Sequence, residues 1–457
     1  MMIGAGVSRW TMLHLGSAVI ALLLAGILLA TGYADLINGF SAPATLIMVH
    51  LVTIGWLSLM MMGALYQFVP VITNTRLYSQ RLPIVAYGAI VLGLLAMIAG
   101  FVALGGQAVA LLTLLPVGGG LVVIGFALGV YNVAATLWLS RPLALPARFV
   151  AAGLGFLLIT ALVGLGFTLA FGLPHPPQWL TDLVGRGLAV HVLGGLGGWV
   201  TLTAMGVSYR LLSMFMLAPD EPRLSSHMAL YLTAGGLLVF VVAGLFGTVL
   251  PTLSPMFSWL GAAAALIGAA VYLYDILRLY RTRARRQLEL NSITAAVALT
   301  FFAAFLIAAA IAAAFGQLES YAPELGYLFV FGWLSGLGLS QLYKIVPFMT
   351  WLEVFGRKLG KGPVPRVQDL VNERRAAPWF VIYFLAVLGV VAALLSENSL
   401  VMTLATSAQF LATLAIAVEL WISHRPDPNA APKPIVPGAF KPFVTPATPP
   451  KQPKHGG

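Results

Sequence analysis

Residues 43–72 read PATLIMVHLVTIGWLSLMMMGALYQFVPVI, and they decide the fold. The run is apolar for about 30 residues, long enough to cross a bilayer at helical rise. It carries one histidine near its start, His50, then Gly55-Trp56, Gly63, Tyr66 and Pro70. The same frame returns twice. Residues 191–214 are HVLGGLGGWVTLTAMGVSYRLLSM and residues 327–349 are YLFVFGWLSGLGLSQLYKIVPFM. Aligning the Gly-Trp pairs puts Trp56, Trp199 and Trp333 in register, with Tyr66, Tyr209 and Tyr343 ten residues later each time. Gly63 matches Gly206, and Pro70 matches Pro347. Repetition at long period changes the whole fold assignment. The chain reads as three diverged copies of one membrane unit.

Composition agrees. With 60% hydrophobic and 9% charged residues, an ordinary soluble domain is excluded. The absence of cysteine rules out disulfides, thiolate metal sites and covalently attached c-type haem. Residues 10–33 are too long an apolar run for a signal peptide and lack a cleavage site, so they read as a retained first helix.

Working outward from the three frames, the pattern predicts an all-α integral membrane protein with twelve transmembrane helices. The spans fall at about 10–33, 43–72, 83–105, 108–139, 147–172, 186–213, 227–250, 256–280, 291–315, 323–350, 378–396 and 400–423. They divide into four-helix repeats over about 10–140, 141–280 and 281–425, expected in a pseudo-three-fold arrangement within one membrane domain, 1–425. Of the 25 lysines and arginines, Arg186 alone falls on the side opposite the termini. The positive-inside rule then makes both termini cytoplasmic, as in a bacterial-type inner membrane. The net charge of +11 reports topology, and no nucleic-acid partner is implied. Residues 351–377 mix aromatic and basic side chains and are expected along the lipid headgroups. Residues 426–457, rich in proline and lysine, cannot build a core and are expected to be disordered.

Three repeats of four spans, each with the Gly-Trp motif in its second span, resemble subunit I of the haem–copper oxidases. That family has twelve spans, cytoplasmic termini and a pseudo-three-fold axis. Its helices II, VI and X line the pores and carry metal ligands near the outer face. Here the corresponding helices hold His50, His191 and Tyr327. The likeness is nearest the divergent oxidase-like membrane proteins, including the NnrS-like group linked to nitric oxide stress. In the oxidases helix X carries a His-x-His pair, whereas the aligned positions here are Leu325 and Tyr327. The paired histidines of helix VII are also missing. Only His227 lies there, at the inner mouth, about 30 Å along a helix from the level of His191. A three-histidine copper site cannot be assembled, so copper is not expected and oxygen reduction is not implied.

His50 and His191 remain as ligand candidates. Both sit in the outer part of even-numbered spans. In the Gly-Trp register they differ by two residues, a turn of about 200° on an α-helix. They therefore either converge on the pore between helices II and VI or diverge into two pores. The resemblance implies convergence, because the two positions match the two members of the oxidase pair rotated by one third. What it implies is one non-covalent haem b held by His50 and His191. Gly194, Gly195, Gly197 and Gly198 leave room for a flat macrocycle, and Arg186 is placed to pair with a propionate. The competing explanation is packing, in which a membrane histidine is hydrogen-bonded and the glycines admit a neighbouring helix. Ionisable groups inside a span are nonetheless functional candidates by default.

The other candidates have bland explanations. His14 reads as a boundary residue, and His175 as a solvated residue of the outer loop. Tyr66, Tyr209 and Tyr343 read as packing residues with snorkelling tips. Gln67, Asn132 and Gln341 offer polar points for a proton path, but no carboxylate chain accompanies them. Lys344 and Glu419 lie near inner span ends. The function implied is electron transfer or response to a diatomic gas, with a redox partner or respiratory-complex subunit beside the lipid bilayer. With no complete binuclear centre, no enzyme activity is assigned. The alternative is a cofactor-free transporter or respiratory-complex assembly factor on the same scaffold.

Overall fold

The computed structural model describes residues 8–37, 42–247 and 252–428. Twelve helices among these are long and apolar enough to cross a membrane. Spans 1 to 6 are Arg9–Ala30, Pro43–Thr73, Leu82–Leu104, Val109–Leu139, Leu145–Gly172 and Gln178–Met216. Spans 7 to 12 are Leu224–Leu245, Ser254–Thr282, Leu290–Ala314, Ala322–Val354, Glu373–Leu395 and Ser399–Ser423. The chain is thus an all-helical multi-pass membrane protein among the described residues. Helix is the only open secondary structure that satisfies its own backbone in hydrocarbon. The disorder expected for the tail falls, from residue 429 onward, outside the described residues.

Two starts come earlier than hydropathy places them. Span 6 begins at Gln178, so Arg186 lies within the helix. Pro177 stands as its N-cap, and the polar Asp182 and Arg186 hide these first turns from an apolar count. At 39 residues, about 58 Å of helix, span 6 exceeds the ~30 Å hydrocarbon core by several turns. Span 11 starts at Glu373, where the Asn372 side chain caps the amide of Arg375 at 3.2 Å.

The densest packing joins spans 3 with 4, 7 with 8, and 5 with 6. Glycine permits the first two of these contacts. A methyl group added at Gly93 would stand 2.8 Å from the Gly118 carbonyl oxygen, and one at Gly236 would stand 2.5 Å from that of Gly261. Such close approach requires the absence of a side chain.

Spans 2, 6 and 10 each contain a π-helical stretch at the Gly-Trp motif: Leu51–Ser58, Leu193–Thr201 and Leu328–Ser335. A π-turn widens the helix by bonding i to i+5. The hydroxyls follow the same spacing, since Ser58 Oγ donates to the Thr53 carbonyl at 2.7 Å and Thr201 Oγ1 to the Leu196 carbonyl at 2.6 Å. All three tryptophans are fully buried. Trp56 Nε1 donates to Ser335 Oγ at 3.0 Å, and Trp199 Nε1 to Ser58 Oγ at 3.1 Å. Trp333 Nε1 is buried without a partner, its ring stacked on Phe302 at 3.5 Å. The glycine before each tryptophan abuts the first span of its own repeat, Gly55 on Ala21, Gly198 on Phe156 and Gly332 on Phe301. Spans 2 and 6 both stop on a left-handed residue, Asn74 (φ 49°) and Leu217 (φ 53°). Span 10 runs on through the equivalent position to Val354.

Beyond it, residues 355–372 fold back onto the protein and are not simply spread along headgroups. Trp351 Nε1 donates to the Pro365 carbonyl, and Gln368 Nε2 to Glu289 at 3.0 Å. These two contacts tie the segment to spans 9 and 10, while Arg366 and Asp369 pair within it.

Candidate functional site

His50 closes the first α-helical part of span 2, immediately before the π-stretch. Its Nδ1 bonds the Leu46 carbonyl at 2.8 Å, and its ring lies 5.0 Å from that of Phe101 in span 3. His191 stands in span 6, also just before the π-stretch. Its Nδ1 bonds the Thr160 carbonyl of span 5 at 3.0 Å, and its ring is 5.3 Å from Phe167. His191 lies over Gly164, where an added Cβ would come within 2.7 Å of the imidazole. Gly164 therefore makes the space that the ring fills.

Spans 2 and 6 pack against each other at the π-helical stretches that directly follow His50 and His191, where Trp199 Nε1 donates to Ser58 Oγ. With Nδ1 spent as a donor to a carbonyl, each neutral ring keeps its lone pair on Nε2. Neither Nε2 has a protein partner among the described residues. A carbonyl on the far nitrogen is the usual support of a metal-binding imidazole. The i−4 version of that bond is generic, however. His14 makes it to Trp10 at 2.7 Å and His227 to Arg223 at 2.8 Å. Only His191 takes its carbonyl from another span.

The glycines of span 6 are packing positions. A methyl at Gly194 or Gly195 would meet Thr160, and one at Gly198 would meet Phe156, both on span 5. Gly197 faces Leu237 of span 7. The room anticipated beside them for a macrocycle is occupied by these side chains. Arg186 is exposed on the projecting turns, with Nε bonded to the Asp182 carbonyl at 3.2 Å.

The remaining candidates sort by comparison between copies. His14 is fully buried, packed edge-on against Tyr66 with centroids 5.4 Å apart, and against Gly63. In the second copy Phe149 makes the same contacts with Tyr209 and Gly206. His14 thus occupies a packing aromatic's place, buried where the sequence suggested a boundary. His175 is exposed in the loop between spans 5 and 6. His424 meets Thr350 at 2.9 Å. Asn132 clamps the loop after span 2, its amide bonding both Ser79 N at 2.8 Å and Ser79 O at 3.0 Å. Lys344 pairs with Glu289, and Arg375 grips Glu419 through two nitrogens.

Sequence reasoning missed five participants. Thr160 orients His191, and nothing in the apolar run of span 5 singles it out. Ser58 and Ser335, two residues after their tryptophans, were readable as a shared GWLS. Gln409 receives the Tyr327 hydroxyl inside the bundle. Asp275 is a lone acid within span 8 and was legible as such. Among the described residues no three His, Asp or Glu side chains gather as a metal-binding group. The donor set at spans 2 and 6 is therefore two imidazoles, which suits the two axial positions of a haem. No protein-family model matches the chain, and a search of curated proteins gives no match either.

Proposed function

We propose that His50 and His191 ligate one non-covalent haem b from opposite sides, in a membrane protein of oxidase subunit I-like fold. One observation carries this reading: two imidazoles on spans that pack together at the adjoining π-stretches, each anchored through Nδ1 with Nε2 left open. A bound haem would supply one-electron exchange. With both axial positions taken by histidine, that favours electron transfer, or a response to a gas such as nitric oxide, over oxygen reduction. The chain's own part is to hold and orient. The Leu46 and Thr160 carbonyls fix the imidazole tautomers, and Phe101 and Phe167 flank the rings. Arg186, at the outer rim, keeps terminal guanidinium nitrogens for a propionate.

The proposal includes a pseudo-three-fold arrangement of the four-span repeats. The head-to-tail bonds from Trp199 to Ser58 and from Trp56 to Ser335 support it, as do the matched glycine contacts on spans 1, 5 and 9. It also places both termini in the cytoplasm of a bacterial-type inner membrane, on the charge asymmetry of the loops. A redox protein or respiratory-complex subunit would be the electron partner.

One observation favours the other reading, a cofactor-free transporter or assembly factor. The glycine-cleared face of span 6 is filled by span 5 side chains. An optical spectrum of detergent-purified protein separates the two. Sharp reduced bands of six-coordinate haem b, with no stoichiometric copper by elemental analysis, are the expected result. A featureless spectrum after expression with added haem precursor overturns the haem reading.

A further inference from the structure

At the end of the bundle where odd-numbered spans begin and even-numbered spans end, a cavity of about 260 Å³ opens between spans 5, 6, 7 and 8. Asp275 of span 8 lines it and is only 5% exposed. The Tyr209 hydroxyl donates to one carboxylate oxygen at 2.9 Å and the Ser225 hydroxyl to the other at 2.6 Å. Among the described residues no cation pairs with it. A carboxylate accepts about four hydrogen bonds, so roughly two positions remain open. An ionised carboxylate removed from water without a counter-ion is costly, and hydroxyl donors recover only part of that cost.

The mouth has the opposite character. Arg223 and the exposed Arg278 stand there beside Glu221, while Arg210 is engaged by Asp220. Ile72, Leu145 and Leu279 contribute apolar wall. The cavity thus presents an acid in its depth, guanidinium groups at its mouth and apolar surface between. Its volume is near the small end of ligand pockets.

We propose that this cavity binds a small zwitterion, its primary ammonium on Asp275 and its phosphate or carboxylate on Arg223 and Arg278. The shared chemistry is that of a phosphoethanolamine group, which arrives either as a phosphatidylethanolamine headgroup or as a free solute. The site is separate from the histidine pair and does not depend on the haem reading.

Two measurements on the full-length purified protein test it. Native mass spectrometry after exposure to mixed phosphatidylethanolamine and phosphatidylglycerol vesicles counts retained lipid, and calorimetry follows O-phosphoethanolamine. Selective retention of one phosphatidylethanolamine identifies the lipid source, and calorimetric binding of O-phosphoethanolamine alone identifies the solute. Either signal should weaken about tenfold or more in Asp275→Asn, the loss expected for one charge-assisted contact. Arg278→Gln, at an exposed position, should weaken it as well and serves if Asp275→Asn fails to fold. Binding of neither probe, equal retention of phosphatidylglycerol, or undiminished binding in a folded Asp275→Asn or Arg278→Gln protein overturns the proposal.

Discussion

Spans 2 and 6 on the one hand and span 10 on the other share one backbone plan in their first halves and fill it differently. Each has an α-helical lead, a π-helical stretch and a buried tryptophan. In the first two, imidazoles stand with Nε2 uncommitted. At the position equivalent to His50, span 10 has Tyr327, whose hydroxyl is bound to Gln409 of span 12. Nearby, Tyr383 donates to the Phe331 carbonyl at 2.8 Å, and Phe302 and Phe329 pack on Trp333 with Phe305 behind them. The third copy has closed internally what the first two leave chemically open. A repeated frame therefore fixes where a site can be, while the polar residue placed in it fixes whether one exists.

The comparison breaks most visibly through the histidines. His50→Ala or His191→Ala should abolish the six-coordinate haem spectrum or convert it to a five-coordinate one. His14→Phe, which restores the aromatic of the second copy, should leave it intact. Tyr327→Phe should also leave the spectrum unchanged while lowering stability by about 1–3 kcal/mol, because Gln409 keeps a buried acceptor without its donor. A spectrum insensitive to both His50 and His191 would remove the distinction between the copies.

The opposite end of the same four spans, 9 to 12, sharpens the same contrast in stability. Arg375 is half exposed and Glu419 is 7% exposed. Arg375→Leu strands the buried carboxylate and should lower the melting temperature, by less than for a fully buried pair because solvent already screens the arginine. Thermal unfolding of the variant measures it. Glu289 gives a smaller, pH-dependent signal. Burial pushes its carboxyl up, but Lys344, Gln368 and Arg285 outweigh burial and hold it below the ordinary carboxylate value. A group with a depressed folded pKa stabilises fully above its unfolded value, about 4.5, and loses that contribution as pH falls through the folded one. Melting temperatures of wild type and Glu289→Gln should therefore converge below pH 4.5, and parallel curves would show that Glu289 is not linked to folding.

The twelve helices were legible because hydrocarbon demands long apolar runs, and the Gly-Trp frame marked the three spans that share a π-helical stretch. What escaped was geometry that apolar residues do not encode by type. Nothing in LVTIGWLS marks it as π rather than α, yet the widening lies between His50 and the Trp56 used to set its phase, and likewise between His191 and Trp199. A turn of 200° counted on α-helical rise is therefore not the rotation the two rings follow. The glycines of span 6 were equally ambiguous. A missing side chain admits either a ligand or a neighbour, and only the position of Thr160 and Phe156 decides. Asp275 was passed over for another reason: it stands alone, with no motif around it, although isolation in an apolar span is itself the signal.

The smallest effect tests the tryptophans themselves. Trp56 and Trp199 each donate to a serine hydroxyl of another even-numbered span, while Trp333 Nε1 is buried and unbonded. Replacing any of them by phenylalanine removes similar volume from a fully buried site, so the packing loss is shared. The hydrogen-bond term is not. Trp56→Phe and Trp199→Phe lose a net contribution of about 1 kcal/mol and leave a serine oxygen without its donor, whereas Trp333→Phe removes an unsatisfied donor. Trp333→Phe should accordingly be the mildest of the three by about 1–2 kcal/mol in denaturant or thermal unfolding. Combining Trp56→Phe with Ser335→Ala should cost less than the sum of the single changes, as expected for groups in direct contact. Strict additivity in that pair, with Trp333→Phe as damaging as the others, would mean that the three tryptophans act only as volume and that the copies do not differ here.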